Sequence, residues 1–283
     1  MRNTFVLCLI CCLALCGAAQ ETKPEATFIG SAPHASAWRD LQRKAKNGDA
    51  EAMFHLGVAR ETGRGAPQDL ADAVHWYTLA ANLGQPWAQN NLAAMYAVGR
   101  GVPQNDREAL RWYLRSAADG FAPAQNNVGY MYANGRAVPQ DDRNALHWYQ
   151  EAADKGFAPA LANVGLFYRQ GRGGVAPDPL RAAALERRAA EAGFAPAQQH
   201  LGEMYLNGDG VRQDPGEALN WFRKAAAQGF AQAQYALGRA YELGRGVPRD
   251  SVEAARWLRR AADNGMTLAL TELHALQEPP RVE

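Results

Sequence analysis

The residues of this chain that could carry out chemistry are six histidines, four cysteines and a periodic set of carboxylates. The histidines lack the HExxH spacing of a zinc protease, and the GxSxG motif of a serine hydrolase is absent. His75 and His147 share one register position with Arg111, directly before a Trp, which suits a solvent-facing residue better than a metal site. The sequence therefore predicts no catalytic residue, no cofactor-binding residue, no cofactor and no metal ligand.

Five carboxylates and one amide recur in register, where each side chain could accept a hydrogen bond: Asp69, Asn105, Asp141, Asp178, Asp214 and Asp250. Carboxylates also bind metal ions, but capping explains both the period and the position of this set. Pro179 and Pro215 follow directly, at the first position of a helix, where a missing N–H costs nothing. We interpret the six residues as helix N-caps.

The elements that position these residues are set by an internal repeat. Seven glycines are separated by 36, 36, 36, 37, 36 and 36 residues: Gly48, Gly84, Gly120, Gly156, Gly193, Gly229 and Gly265. A fixed period in this range predicts stacked two-helix units that bury one continuous core. The chain is long enough to form that core without disulfides.

Each unit predicts two helices joined by a glycine-rich turn. Small and apolar residues follow steps of four, one and three on the first helix, which places them on one face. On the second helix an Ala is followed three residues later by a Trp in five units: Trp76, Trp112, Trp148, Trp221 and Trp257. A large residue flanked by alanines at helical spacing predicts the core wedge of each repeat, whereas carbohydrate binding would require exposed tryptophans.

The unit reads A-x-x-x-L-G-x-x-Y-x-x-G-x-G-V-x-x-D-x-x-x-A-x-x-W-x-x-x-A-A-x-x-G over residues 49–265 and resembles the Sel1-like repeat, a relative of the tetratricopeptide repeat. It departs from that pattern at Arg60, Ala137 and Leu185. The resemblance implies an all-α fold, a right-handed α/α solenoid of about six helix-turn-helix repeats with capping helices, over residues 36–276. The expected repeats are 49–84, 85–120, 121–156, 157–193, 194–229 and 230–265.

The N-terminus has the pattern of a secretory signal peptide over residues 1–19, with an apolar run too short to remain as a membrane anchor. Cleavage after Ala19 predicts a periplasmic or secreted protein, and lipidation at Cys16 is the alternative. All four cysteines, Cys8, Cys11, Cys12 and Cys16, would leave with the leader. Residues 20–35 and the tail 277–283 show no helical pattern, and no later segment predicts a transmembrane helix.

The net charge does not indicate a class of partner, because 30 basic and 29 acidic residues leave a net charge of +1. This balance is not typical of a protein that binds nucleic acid. Five arginines lie in the turns: Arg64, Arg100, Arg136, Arg172 and Arg245. We interpret them as solvated turn residues, and a basic ridge along one edge is the alternative.

Positions that vary between repeats are the place to look for recognition, because the constant positions are committed to packing. One stripe on the first helices, called here the variable stripe, has three positions spaced by four and contains Asn90, Asn126, Tyr130, Asn134, Gln170, Gln199, Glu203, Asn207, Tyr235 and Arg239. By analogy with tetratricopeptide arrays it should line a concave groove that binds a partner protein or peptide. Asn91, Asn127 and Asn163, one position later, favour hydrogen bonding between repeats over a binding role.

The family resemblance implies a non-catalytic scaffold or regulator of protein–protein interactions in the cell envelope. One alternative is a scaffold for exopolysaccharide export. Another is an enzyme directed at cell-wall material or β-lactams, as suggested for a cysteine-rich branch of the family, but the paired cysteines of that branch are missing here. Tyr130, Glu203 and Arg239 are the only polar groups of the stripe that could begin an active site, and they lie in different repeats.

Overall fold

The computed structural model describes residues 35–277, so the predicted leader and Cys16 lie outside the described residues. All regular structure within this range is helical. Its fourteen helices are α1 Ala35–Lys46, α2 Ala50–Thr62, α3 Leu70–Asn82, α4 Pro86–Val98, α5 Asp106–Ala118, α6 Ala122–Ala133, α7 Asp142–Asp154, α8 Ala158–Gln170, α9 Pro179–Glu191, α10 Ala195–Asn207, α11 Pro215–Ala227, α12 Ala231–Leu243, α13 Ser251–Asp263 and α14 Thr267–Gln277.

The chain divides into two compact units, Met1–Ala152 and Ala153–Glu283. In the first unit, consecutive helices from α1 to α6 pack on one another, so that first and second helices of the repeats alternate. In the second unit, helices α8 to α14 do the same. This alternation is the α/α solenoid that the sequence predicts.

The second helices begin at the predicted N-caps. Asp69 accepts a hydrogen bond from the backbone N–H of Asp72 at 3.0 Å, and Asn105, Asp141, Asp178, Asp214 and Asp250 accept equivalent bonds. Hydrogen bonds from Asn144 hold the pKa of Asp141 below its usual value, ahead of a smaller opposing effect of burial. The capping interpretation of these residues is therefore confirmed.

The tryptophans are not the innermost residues of the repeats. Trp112 and Trp221 are buried, but the side chains at the other three positions are only half-buried. The residue after the Trp is at most 2 % exposed in five repeats, where it is Tyr77, Tyr113, Tyr149, Phe222 or Leu258. The prediction that the Trp lies in the core is therefore confirmed for Trp112 and Trp221, whereas the other three are only half-buried. The deepest side chain is the next residue, because the stripe of buried alanines continues at a step of four rather than three.

The small residue of the first helix explains how this wedge fits. A Cβ on Gly57 would lie 2.5 Å from Cδ1 of Tyr77, and a Cβ on Gly202 would lie 2.5 Å from Cε1 of Phe222. The ring of the second helix therefore rests directly on the backbone of the first helix. The close helix approach predicted from Gly and Ala at this position is confirmed.

A glutamine near the start of the first helices forms a further contact within the core. In four repeats its side-chain amide donates to a backbone carbonyl in the last turn of the preceding helix, as Gln198 does to Ala190 at 3.0 Å. The same bond is made by Gln89, Gln125 and Gln234. The bond satisfies one of the carbonyls that a helix end leaves unpaired.

Candidate functional site

The three positions of the variable stripe lie at different depths. At the first position Asn90, Asn126 and Gln199 are buried, at 5 %, 7 % and 6 % exposure. At the second position the side chains are half-buried or exposed, and at the third position Asn134, Gln170 and Asn207 are exposed. The expectation that the stripe is exposed is therefore wrong for its first position in these repeats, because spacing by four fixes a helix face but not its depth.

In the first unit the buried amides form a chain of hydrogen bonds. Nδ2 of Asn127 donates to Oδ1 of Asn90 at 3.0 Å, and Nδ2 of Asn90 donates to Oδ1 of Asn91 at 3.4 Å. Asn91 then donates to the hydroxyl of Tyr77 at 3.3 Å, and that hydroxyl donates to Glu61 at 2.7 Å. The predicted hydrogen bonding between repeats is confirmed for Asn127.

Burial raises the pKa of Tyr77 well above its usual value, and the charge of Glu61 adds to this effect. The raised pKa favours the protonated phenol, which donates the hydrogen bond to Glu61. Arg100 completes the chain through an ion pair of 3.2 Å with Glu61. The chain consequently connects a turn of one repeat to the core of the preceding repeat.

Arg136 makes a similar connection and is not a solvated turn residue. Its guanidinium pairs with Asp106, and Nη2 also donates to the carbonyl oxygen of Ala97 at 2.6 Å. The hydrogen bond that Arg136 donates to Asp106 raises the pKa of Arg136, against a smaller opposing effect of burial. The interpretation of the turn arginines as solvated is therefore wrong for Arg136.

Tyr130 and Asn134 are the accessible residues of the stripe on α6. Tyr130 is half-buried, and Nδ2 of the exposed Asn134 donates to its backbone carbonyl at 2.9 Å. A row of half-buried aromatic rings lies elsewhere in the same unit, with Trp87 6.5 Å from Phe54 and 4.5 Å from Phe121 between ring centroids. Sequence analysis missed this row because its members occupy different register positions.

In the second unit Tyr235 and Arg239 share a carboxylate. The hydroxyl of Tyr235 donates to Glu272 at 2.7 Å, and Arg239 lies 2.7 Å from Glu242 and 3.6 Å from Glu272. Burial, followed by the hydrogen bond with Glu272, raises the pKa of Tyr235 to about 12. The charge of Arg239 is therefore balanced within the chain.

The fourth repeat places a carboxylate at the wedge position. Glu186 is 3 % exposed, its Oε1 lies 3.4 Å from Nδ1 of His200, and its Oε2 has no hydrogen-bond partner. The pair occupies the two positions that Tyr77 and Asn91 hold in the first unit. Beside it, Gln199 donates to Glu203 at 3.0 Å.

These groups do not form a recognisable active site. Glu203 is bonded to Gln199 and Arg239 to its two carboxylates, so that the two candidate catalytic groups of the second unit belong to separate networks. Within residues 35–277, no three His, Cys, Asp or Glu side chains come close enough to hold a metal ion. In the same range no helix has the length and apolar character needed to cross a membrane.

The sequence matches the model of the Sel1 repeat six times, over residues 50–85, 88–121, 122–157, 158–194, 195–230 and 231–266. The chain belongs to the Sel1 repeat family. Sel1 repeat proteins generally mediate protein–protein interactions and are typically non-catalytic.

Solved structures share this fold. A Sel1 repeat protein from Oxalobacter formigenes is 36 % identical, with a TM-score of 0.75 over 85 % of this chain and 70 % of its own. The protective antigen c5321 of uropathogenic Escherichia coli is 32 % identical, with a TM-score of 0.58 over 85 % of this chain and 59 % of its own. The immunity protein Pa5087 of Pseudomonas aeruginosa is 22 % identical, with a TM-score of 0.54 over 77 % and 84 %, and shares the fold alone.

A curated relative matches over a much shorter stretch. The mouse protein named DAP3-binding cell death enhancer 1 is 40 % identical over 52 residues, which is 18 % of this chain and 10 % of the relative. The rat protein of the same name is 38 % identical over 52 residues. The match thus spans about a tenth of these relatives' length.

Proposed function

We propose that this chain is a non-catalytic scaffold or regulator that binds an extended segment of a partner protein along the first helices of each unit. The observation that supports the proposal is that the residue at the third stripe position is exposed in all six repeats. Its occupants differ in chemistry from repeat to repeat: Thr62, Val98, Asn134, Gln170, Asn207 and Leu243. A position that is open and variable can serve recognition without loss of packing.

The chemistry of this surface suits a peptide. Side-chain amides such as those of Asn134, Gln170 and Asn207 both donate and accept, so they can pair with the N–H and C=O groups of an extended backbone. The half-buried ring of Tyr130 offers apolar contact area with a polar tip. Asn90, Asn126 and Gln199 would support such a site from beneath rather than touch the partner.

We further propose that binding takes place in the cell envelope, in the periplasm or outside the cell. The proposal depends on the signal peptide predicted over residues 1–19. Mass spectrometry of the exported protein tests it: a mature N-terminus at Gln20 supports it, whereas a diacylglyceryl group on Cys16 would place the protein on a membrane surface. That second result would favour a role as scaffold for exopolysaccharide export.

Photo-crosslinking tests the surface. A photoreactive amino acid is placed at Asn134, Gln170 or Asn207 of the chain that begins at Gln20, and the matched control carries it at the exposed Ala227 at the end of α11. We expect one partner to be crosslinked in envelope extract from the stripe positions and not from Ala227. Crosslinking from Ala227 alone, or none from any stripe position, would contradict the proposed surface.

A further inference from the structure

The second helices of the second unit carry adjacent basic residues at the same two positions in three successive repeats. These exposed residues, called here the basic ladder, are Arg187 and Arg188 on α9, Arg223 and Lys224 on α11, and Arg259 and Arg260 on α13. Each pair lies one and two residues after the wedge position. The repeat period therefore aligns the three pairs as successive rungs on one side of the unit.

The charges of the ladder are not neutralised within the described part of the chain. Lys224 lies over the ring of Trp221 at 3.7 Å, Arg260 over that of Trp257 at 4.8 Å, and Arg187 donates to the hydroxyl of Tyr205 at 2.8 Å. The ion pairs found among residues 153–277 join other side chains. The rings thus hold part of the ladder in place, and no ion pair among residues 153–277 includes a ladder residue.

The fold does not require cations at these positions. In the first unit the equivalent pairs are Thr78 with Leu79, Leu114 with Arg115, and Gln150 with Glu151. These pairs follow the wedge position on helices that begin at the same kind of N-cap, but Leu79 and Leu114 are half-buried against the core, whereas all six ladder residues are exposed. The adjacent basic residues are therefore a property of the second unit, where these positions are open to solvent.

We propose that the basic ladder is a second interaction surface, which binds an acidic segment of a partner protein in an extended conformation. The charge of the ladder is complementary to carboxylates, and each rung presents two cations. Helices of one layer stand about one helix diameter, on the order of 10 Å, apart. An extended chain rises about 3.3 Å per residue, so an acidic residue at every third position would meet successive rungs.

Acidic residues on both sides of the ladder limit the width of its partner. Asp214 and Glu217 begin α11, and Asp214 lies nine residues, or about 13 Å, before Arg223. At the other end, Glu191 and Asp263 are the last residues of α9 and α13. A broad anionic surface such as a bilayer or a nucleic acid duplex would meet the carboxylates at both ends of the helices, whereas a single extended strand along the rungs avoids those at the start of α11.

The test measures binding of a fluorescent peptide of about 15 residues, with Glu at every third position and Gly or Ser between, to the chain beginning at Gln20. The ladder variant combines Arg188→Gln, Arg223→Gln and Arg259→Gln, and the matched control combines Arg64→Gln, Arg107→Gln and Arg143→Gln. We expect the ladder variant to bind about tenfold more weakly, as three lost charge pairs of about 0.5 kcal/mol each predict. The control should change affinity less than about twofold, with unaltered melting of both variants.

Three results would overturn the proposal. Equal weakening by both triple variants would mean that the peptide senses net charge only. If a peptide of the same composition with its Glu residues in one block bound as tightly as the spaced peptide, the spacing of the rungs would not determine recognition. Tighter, ladder-dependent binding of duplex DNA or of vesicles with anionic lipid would assign the surface to another class of partner. None of these results bears on the first-helix surface, which lies on other helices.

Discussion

The side-chain amide of Asn127 donates a hydrogen bond of 3.0 Å to Oδ1 of Asn90, on the first helix of the preceding repeat. Both residues are buried, so the bond is made where water cannot replace it. It ties α6 to α4 and continues through Asn91 to the hydroxyl of Tyr77 in the core. Adjacent repeats of the first unit are therefore joined by directional polar contacts as well as by apolar packing.

Replacing Asn127 by Ala should destabilise the protein by about 1 to 3 kcal/mol, because the buried acceptor on Asn90 loses its donor. Urea unfolding followed by circular dichroism measures the change. The matched variant Asn134→Ala removes an exposed amide directly after the same helix and should alter the free energy of unfolding by less than about 0.5 kcal/mol. If both variants lowered the free energy of unfolding equally, the buried hydrogen bond would contribute no more to stability than the exposed amide does.

The wedge residue and its neighbouring Trp can be separated by mutation. Phe222→Ala should cost about 3 to 5 kcal/mol, because the ring is 1 % exposed and its removal leaves a cavity against Gly202. Trp257→Ala, at the preceding register position of the next repeat, should cost no more than about half as much, since that indole is only half-buried. Urea unfolding of both variants measures the two losses. A larger loss for Trp257→Ala than for Phe222→Ala would show that the Trp is the wedge residue.

Some features of this fold can be predicted from the sequence and others cannot. The period, the six N-caps and the small residue of the first helix follow from local rules, and all appear in the structure. The sequence pattern does not identify the wedge residue, because Trp112 and Tyr113 are both large and aromatic. Their side chains leave the helix in directions about 100° apart. Which of the two faces the first helix depends on tertiary packing.

The same limit applies to the candidate site. A step of four predicts that Asn126, Tyr130 and Asn134 share one helix face, but depth along that face is set by the neighbouring helices. The recurring glutamine, as in Gln198, could have been identified from its register. Its target, the carbonyl of Ala190, could not, since that bond requires the position of the preceding helix end.

Ala137 is a strained position that glycine should relieve. It has φ of 62° in the turn after α6, and within residues 35–277 it is alone among non-glycine residues in having a positive φ. Ala137→Gly should stabilise the protein by about 0.5 to 1 kcal/mol, because the left-handed conformation costs a residue with a Cβ about 1 to 2 kcal/mol and the glycine adds some entropy to the unfolded chain. Thermal unfolding measures the gain.

The matched change in the opposite direction is Gly101→Ala, at the equivalent turn position one repeat earlier. It should destabilise the protein by more than Ala137→Gly stabilises it, since a Cβ there would also collide with the carbonyl oxygen of Leu70. If Ala137→Gly lowered the melting temperature, the alanine would be favoured by packing rather than strained.

The buried pair of Glu186 and His200 should make the second unit sensitive to pH. Burial lowers the pKa of His200, but the hydrogen bond and charge of Glu186, with the charge of Glu203, outweigh burial and the effect of Arg169, so that the pKa is raised above 6.5. A raised pKa in the folded state means that the stabilisation is complete below about pH 6.5 and is lost as pH rises through the folded value. Urea unfolding between pH 5.5 and 8.5 should therefore show falling stability.

The repeat that follows supplies the matched variant, because Phe222 and Ala236 occupy the same two positions there. The double change Glu186→Phe and His200→Ala should remove this part of the pH dependence and leave stability equal or higher by about 1 to 4 kcal/mol, as apolar replacement of a buried ion pair does. Gly165 faces Glu186 as Gly202 faces Phe222, so the ring of the introduced Phe has room.

His200→Ala alone should cost about 3 to 5 kcal/mol, since it leaves the carboxylate of Glu186 buried and unpaired. A double variant that kept the pH profile of the parent would show that other groups cause the pH dependence.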